Sequence, residues 1–371
     1  MSSTISGPAA AALNSLTPSQ LKFIQMLPKA ELHAHLNGSI PISVLQELAQ
    51  EFAHLSDSGL TSDAIEEGIA KLRNGVVLDE IHDFFNLFPA IYALTSNPSN
   101  LRRATRAVLE QFLDGENPQC AYLELRSTPR ETPEMNRRQY VQAILDEVER
   151  YPPSKTNLIV SLDRKMTGDV LRECVEIAIG LKAEGKRVVG IDLCGDPTAG
   201  DMGVLEEHLS RARAAGLGIT LHIAETPANT AAETIQLLSY TPDRLGHATF
   251  LNDEAKSIVL DKKMCIEICL TSNLLCKTVS SLDAHHIRYY LQNDHPIVIC
   301  TDDTLPFRTS LVGEYALLLA ASPLGLGLTQ DEVKRVAEMG IGATFQSRLN
   351  PPDAVRGTGQ ARKVETKARG G

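Results

Sequence analysis

Eight short runs rich in apolar and β-branched residues recur along the 371 residues, and together they predict an α/β fold. The arrangement expected is a (β/α)8 TIM-type barrel with extra helices inserted after strand 1. Strands buried on both faces read as such continuous apolar runs. Segments whose apolar residues fall at helical spacing separate most of the runs, as parallel βαβ crossovers require. Polar residues also gather where the runs end, which is where barrels of this type build their sites. An open, doubly wound sheet is the competing arrangement, but no GxGxxG or P-loop follows any run.

Residues 1–16 are small and polar and are expected to form a loose tail ahead of one barrel domain over residues 17–349. Thr17-Pro18-Ser19-Gln20 then reads as a capping box opening a helix to about Met26, with Pro18 in the first turn. The stretch Glu31 to Ile40, ELHAHLNGSI, supplies the first strand and a turn at Asn37-Gly38. Ile42, Leu45, Leu48, Ala49 and Phe52 repeat at helical spacing, so Pro41 to Leu55 is a helix. Leu78, Ile81, Phe85 and Phe88 give another before Pro89, and Leu101 to Leu113 a third. The helical region from Pro41 to Gly115 is expected to cover the pocket as a lid.

The remaining strands are expected at Ala121 to Leu125, Leu158 to Leu162, Val188 to Leu193, Gly218 to Ile223, Arg244 to Ala248, Cys265 to Leu270 and Pro296 to Cys300. Helices such as Val170 to Lys182 and Val204 to Ala215 lie between them. Residues 350–371, with two prolines and four glycines, read as a disordered tail.

Apolar residues make up 43% of the chain, enough for a large core. A net charge of −10 argues against nucleic acid or an anionic membrane surface as the main partner. An anionic ligand must therefore be held by local donors. Seven cysteines without a small-domain spacing suggest reduced thiols and a cytoplasmic protein. Cys265 and Cys269 read as buried strand rather than as metal ligands. No run of 18 apolar residues exists to span a membrane.

His33 and His35 stand two residues apart in a strand and so point to one face. The other runs end in Ser127, Thr128 and Arg130, in Asp163, in Gly195 and Asp196, in His222 and Glu225, in His247, in Ser272 and Asn273, and in Asp302 and Asp303. Three histidines with a carboxylate are what a catalytic zinc with an open position needs. Singly, His222 is more often a satisfied barrel histidine, Asp302-Asp303 a turn pair and Glu225 a solvated loop carboxylate; the ordered set favours a metal site. His54, His82, His208, His285, His286 and His295 occupy helical or pre-strand contexts and are assigned no chemistry.

The motifs HAHLNG, HIAE, RLGHATFL and CTDD, in this order, resemble the adenosine/AMP deaminase family of metal-dependent barrels over roughly residues 27–319. The resemblance implies one zinc ion per chain held by His33, His35, His222 and Asp302. It implies Glu225 as proton donor, with His247 and Asp303 handling the water. Zinc lowers the pKa of water it holds from near 16 to about 7, which makes hydroxide available at neutral pH. Asp303 can aim that water by a hydrogen bond, and His247 can take its proton. Addition at C6 of a purine pushes electrons onto N1, and Glu225 can protonate N1 if burial keeps its carboxyl protonated. The H-x-E and P-C-x-x-C pattern of cytidine-type deaminases is absent.

Asn37 stands where adenosine deaminases usually carry Asp in an HLDG motif. A carboxylate there would repel a substrate 5′-phosphate about 4 Å away by roughly 4 kcal/mol per charge pair at an effective dielectric of 20. That is nearly three decades of affinity. HAHLNGSI, ELRSTPR and CLTSN are similar to the deaminase-like subfamily that acts on N6-methyl-AMP and related 6-substituted purine nucleotides. The resemblance implies conversion of N6-methyl-AMP to IMP and methylamine, with adenosine deamination as the alternative. Ser127, Thr128, Pro129 and Arg130 would surround the phosphate, Asp163 the ribose or phosphate end, and Gly195 the purine edge, with His35, Asn37 and Asp303 also against the substrate. Tyr92 stands where a substrate-contacting His is expected. Ala248 replaces the second glycine of GHGTF, and Thr304-Leu305-Pro306-Phe307 is nearer the adenosine deaminase pattern. A monomer acting on a small purine nucleotide is expected.

Overall fold

The computed structural model describes residues 5–52, 62–74 and 88–346. Eight parallel strands follow one another in sequence order: β1 Ala30–His35, β2 Tyr122–Ser127, β3 Thr156–Asp163, β4 Val188–Cys194, β5 Gly218–Ile223, β6 Arg244–His247, β7 Cys265–Ile268 and β8 Ile297–Ile299. A parallel bridge between Ala34 and Asp302 joins the last strand to the first, with the His35 amide donating to the Asp302 carbonyl at 3.2 Å. The expected (β/α)8 barrel is therefore what the chain forms, with helices inserted between β1 and β2. No described helix is long and apolar enough to cross a membrane.

The outward faces of the strands carry the apolar residues. Leu123, Leu125, Leu158, Val160, Ile191, Leu193, Ile219, Leu221, Leu245, Ile266, Ile297 and Ile299 are all essentially inaccessible and pack in one cluster with the surrounding helices. Burying a side chain of this size stabilises the fold by about 1.5–3 kcal/mol each. The inward faces differ. Glu124, Arg126, Asp192, Arg244 and Glu267 are all 0% exposed, and they fill the lumen with a paired network. Arg244 Nη1 meets Glu124 Oε2 at 2.7 Å and its Nε meets Glu267 Oε1 at 2.7 Å. Arg126 Nη2 lies 2.9 Å from Glu267 Oε2 and Nη1 3.3 Å from Asp192 Oδ1. At the base of this network Phe345 lies flat under Arg244, whose guanidinium is 3.7 Å from the ring centre. Gly190 and Gly218 leave room for that ring, since a Cβ on either would fall within 2.5 Å of it.

Three elements differ from expectation. Gly7–Ser15 is a helix where a loose tail was expected over residues 1–16: Ala9 and Ala12 are fully buried, and Ala9 packs on Gly313 of helix Leu311–Leu319. Small residues imitate a tail in composition, yet alanine has the highest helix propensity and lets two helices approach closely. Phe88–Leu94 is helical through Pro89 rather than ending before it, because proline is tolerated in a first turn. Ser62–Asn74 is also helical, burying Ile65, Ile69 and Leu72. The expected helical residues Leu78, Ile81 and Phe85, His54 and His82, and the expected tail over 350–371 lie outside the described residues. The capping box at Thr17 forms, with the Gln20 amide donating to Thr17 Oγ1 at 3.3 Å.

Candidate active site

Strand β1 does not pair regularly with β2. Its register shifts between Glu31 and Ala34, so that Leu32 packs in one buried cluster with Tyr122 and Cys300 while His33, next in sequence, also faces the lumen. Bulges of this kind re-aim side chains beside functional sites. His35 then follows on the same face, paired with Arg126.

Four side chains from three strand ends converge on one point. His33 Nε2 and His35 Nε2 lie 3.0 and 3.2 Å from His222 Nε2, and 3.7 and 3.6 Å from Asp302 Oδ1. All four atoms fall within 4.8 Å of one another. A tetrahedral zinc with bonds of about 2.0–2.1 Å sets its ligand atoms about 3.3 Å apart, so the spacing fits. The chemistry fits as well. His33 Nδ1 meets Glu267 Oε2 at 2.5 Å and His222 Nδ1 meets Asp192 Oδ1 at 3.0 Å. Those carboxylates take the ring N–H of each histidine, so both Nε2 lone pairs are turned inward at each other. Without a cation two such lone pairs 3.0 Å apart repel. Burial drives the His35 ring down to about 3 and the His33 ring well below its usual value, which favours both as neutral ligands. Burial also disfavours charge on His222, but the adjoining Asp192 carboxylate outweighs it and raises that ring.

The residues expected to handle protons ring the cluster. His247 Nε2 lies 3.6 Å from Glu225 Oε1 and 3.8 Å from Asp302 Oδ2. Asp303 is 4% exposed, and its Oδ1 has no hydrogen-bond partner. Burial, followed by repulsion from Asp302, pushes its carboxyl well above the usual range. Burial acts on Asp302 too, but the imidazoles of His247 and His35 outweigh it and hold that carboxyl low. Backbone strain collects here: Ala224, His247, Ala248 and Asp302 all have positive φ between 47° and 62°. Non-glycine residues in this region cost of order 1–3 kcal/mol each and persist where the surroundings over-determine them.

One cleft joins these groups to the expected substrate residues. His35, Asn37, Tyr92, Ser127, Thr128, Arg130, Asp163, Gly195, His222, Glu225, His247, Asp302 and Asp303 all line it. It encloses about 810 Å³ of space including its open mouth. Pro129 does not line the cleft; it is buried between Thr128 and Arg130, unlike the other residues expected against substrate. Tyr92 is placed as a platform: the Arg130 guanidinium lies 3.5 Å over its ring centre. Asn37 is held by Tyr140, whose hydroxyl donates to Asn37 Oδ1 at 3.0 Å, while Asn37 Nδ2 points to Thr95 Oγ1 at 3.5 Å.

Several residues here escaped the sequence reading. Glu267 and Asp192 orient two histidines but stand alone inside apolar runs. Gly38 is required because a Cβ would fall 1.4 Å from Asp303 Oδ1. The signal was only a turn glycine. Gly195, expected at the site from the sequence, leaves room for Asp163, whose carboxyl carbon would lie 2.8 Å from a Cβ there.

Known proteins match over most of this length. The sequence profile of the adenosine deaminase family covers residues 28–350. A zebrafish (Danio rerio) protein named N6-methyl-AMP deaminase is 37% identical over 340 residues, which is 87% of this chain and 92% of the relative. The crystal structure of the Arabidopsis N6-mAMP deaminase superposes with a TM-score of 0.78 at 35% identity, covering 87% of this chain and 95% of that one. A second Arabidopsis structure, of ADAL complexed with IMP, superposes with the same score and identity over 87% and 94%. Profile, relatives and barrel agree, and the chain belongs to the adenosine deaminase family.

Proposed function

We propose that this chain is a zinc-dependent hydrolase that converts N6-methyl-AMP and water to IMP and methylamine. The observation that carries it is the convergence of His33, His35, His222 and Asp302 beside Glu225, His247 and Asp303, in a cleft that also holds Arg130. A relative at 37% identity named N6-methyl-AMP deaminase and the IMP complex of a neighbour at 35% support the nucleotide as substrate. His33, His35, His222 and Asp302 would hold the zinc, one ion per chain, whose positive charge makes water a nucleophile at neutral pH.

The rest is done by the chain's own groups. Asp303 accepts a hydrogen bond from the attacking water and aims it at C6. His247 takes a proton from that water as the C6–O bond forms. The Glu225 carboxyl gives its proton to N1, where the electron pair displaced from the ring arrives. Collapse then forms the C6=O bond of IMP as the C6 hydroxyl returns its proton to Glu225, the C6–N bond breaks, methylamine departs with the proton held by His247, and N1 keeps the proton it received. At the other end Ser127 and Thr128 donate hydroxyls, and Arg130, held flat on Tyr92, pairs with the phosphate. Asp163 fixes the ribose or phosphate end, and Gly195 admits the purine edge.

Asn37 sets the nucleotide preference in this reading. Asn37→Asp keeps the oxygen that accepts from Tyr140 and adds a charge, so the fold is expected to survive. KM for N6-methyl-AMP should rise by roughly a hundred- to a thousandfold while that for adenosine changes little. Steady-state kinetics on N6-methyl-AMP, AMP and adenosine reads both the wild-type preference and the shift. A wild-type enzyme active only on the unphosphorylated nucleoside would refute the nucleotide assignment.

A further inference from the structure

His247 has φ 59° and Ala248 φ 48°, so the chain leaves β6 through two consecutive left-handed residues without a glycine. Such a turn needs external support. The Ala248 amide is held by the Ile223 carbonyl at 3.1 Å and the Gly246 carbonyl at 2.7 Å. The His247 carbonyl meets a histidine pair from the segment ahead of β8. His286 Nε2 lies 2.8 Å from that carbonyl.

The donor role is fixed by chemistry. A carbonyl only accepts, so His286 carries its proton on Nε2, and its buried Nδ1 has no partner. His285 stacks on the same ring with centres 4.4 Å apart and planes 17° apart. His285 is itself pinned. Its Nδ1 accepts the Ile287 amide at 3.1 Å, so its Nε2 donates to Asn273 Oδ1 at 3.1 Å. Asn273 Nδ2 in turn reaches Thr249 Oγ1 at 3.4 Å. The strained segment from His247 to Thr249 is thus braced at both ends by one stacked pair.

We propose that His286 is a positioning residue for the deamination: its Nε2–H anchors the His247 carbonyl and so fixes the backbone that turns the His247 ring towards Glu225 and Asp302. The inference rests on the proton-handling role of His247 given above. Displacement of a reacting group by about 1 Å can cost a hundredfold in rate, so a loosened His247 is read in kcat rather than in substrate binding.

Two variants of the zinc-loaded enzyme test it. His286→Phe keeps a ring to stack on His285 but removes the donor, and His286→Gln keeps a donor near the Nε2 position. In His286→Phe, kcat is expected to fall roughly ten- to a hundredfold, with KM, zinc content and thermal stability little changed. His286→Gln should recover most of that loss. If His286→Phe does not fold, His286→Asn, whose shorter amide stops short of the carbonyl, is expected to show the same loss. A donor-less variant with wild-type kcat, or a Gln variant as impaired as the Phe variant, overturns the proposal. His247→Asn separates the two layers: undiminished kcat there refutes the role of His247 itself, whereas a large loss there with full activity in His286→Phe refutes only the anchoring.

Discussion

Glu225→Gln is expected to lower kcat by about 10²–10⁴-fold, the range by which a positioned general acid accelerates such a step, while zinc content stays at the wild-type level. The substitution is nearly isosteric, and Glu225 is not one of the four residues converging on the metal position. Its Oε1 stands 3.6 Å from His247 Nε2 at the cleft wall. An amide can still hydrogen-bond to a purine N1 but cannot surrender a proton to it, so the substrate should bind and fail to react. Single-turnover kinetics with metal analysis checks this. Unchanged kcat would remove Glu225 from the mechanism.

Glu267→Ala is expected to have the largest effect on stability. The carboxylate is 0% exposed and is met by Arg126, Arg244, His33 Nδ1 and Thr220 Oγ1, the last at 2.9 Å. Burial works against its charge, but the two guanidiniums outweigh it and hold the carboxyl down to about 2. Removing one partner of a buried ion pair typically costs about 3–5 kcal/mol, because the charge left behind is uncompensated. Here two guanidiniums would be left facing each other. Thermal unfolding should show Tm lowered by roughly 4–7 °C, and zinc affinity should weaken because His33 loses the partner that orients its ring. A Tm within about 1 °C of wild type would show that the lumen network does not hold the barrel together as described.

The lumen also shows how far the sequence could be read. The eight strands were legible because their outward residues must be apolar to meet helices, and that leaves continuous runs. The same runs hide the inward residues: Glu267 within Cys265-Ile266-Glu267-Ile268 and Asp192 within Ile191-Asp192-Leu193 look like isolated charges, and only closure of the barrel pairs them with Arg126, Arg244 and two histidines. The four converging residues were legible for the opposite reason. His33, His35, His222 and Asp302 mark strand ends, and strand ends of one barrel meet at one face. The β1 bulge that brings His33 inward left no mark in the sequence, since it is set by register against β2. Helix Gly7–Ser15 was hidden by its own composition. His286 was passed over because its partner is a backbone carbonyl, which no residue pattern reveals.

The central claim is that one zinc ion, held by three imidazoles and Asp302, is required for release of IMP from N6-methyl-AMP. Purified protein dialysed against a strong chelator and then titrated with zinc tests it most directly, with IMP and methylamine both measured. Activity should vanish on metal removal and return in proportion to zinc, saturating at one equivalent per chain, and His222→Ala should not recover. Full activity in metal-free protein, or recovery of His222→Ala to the wild-type rate, would contradict it.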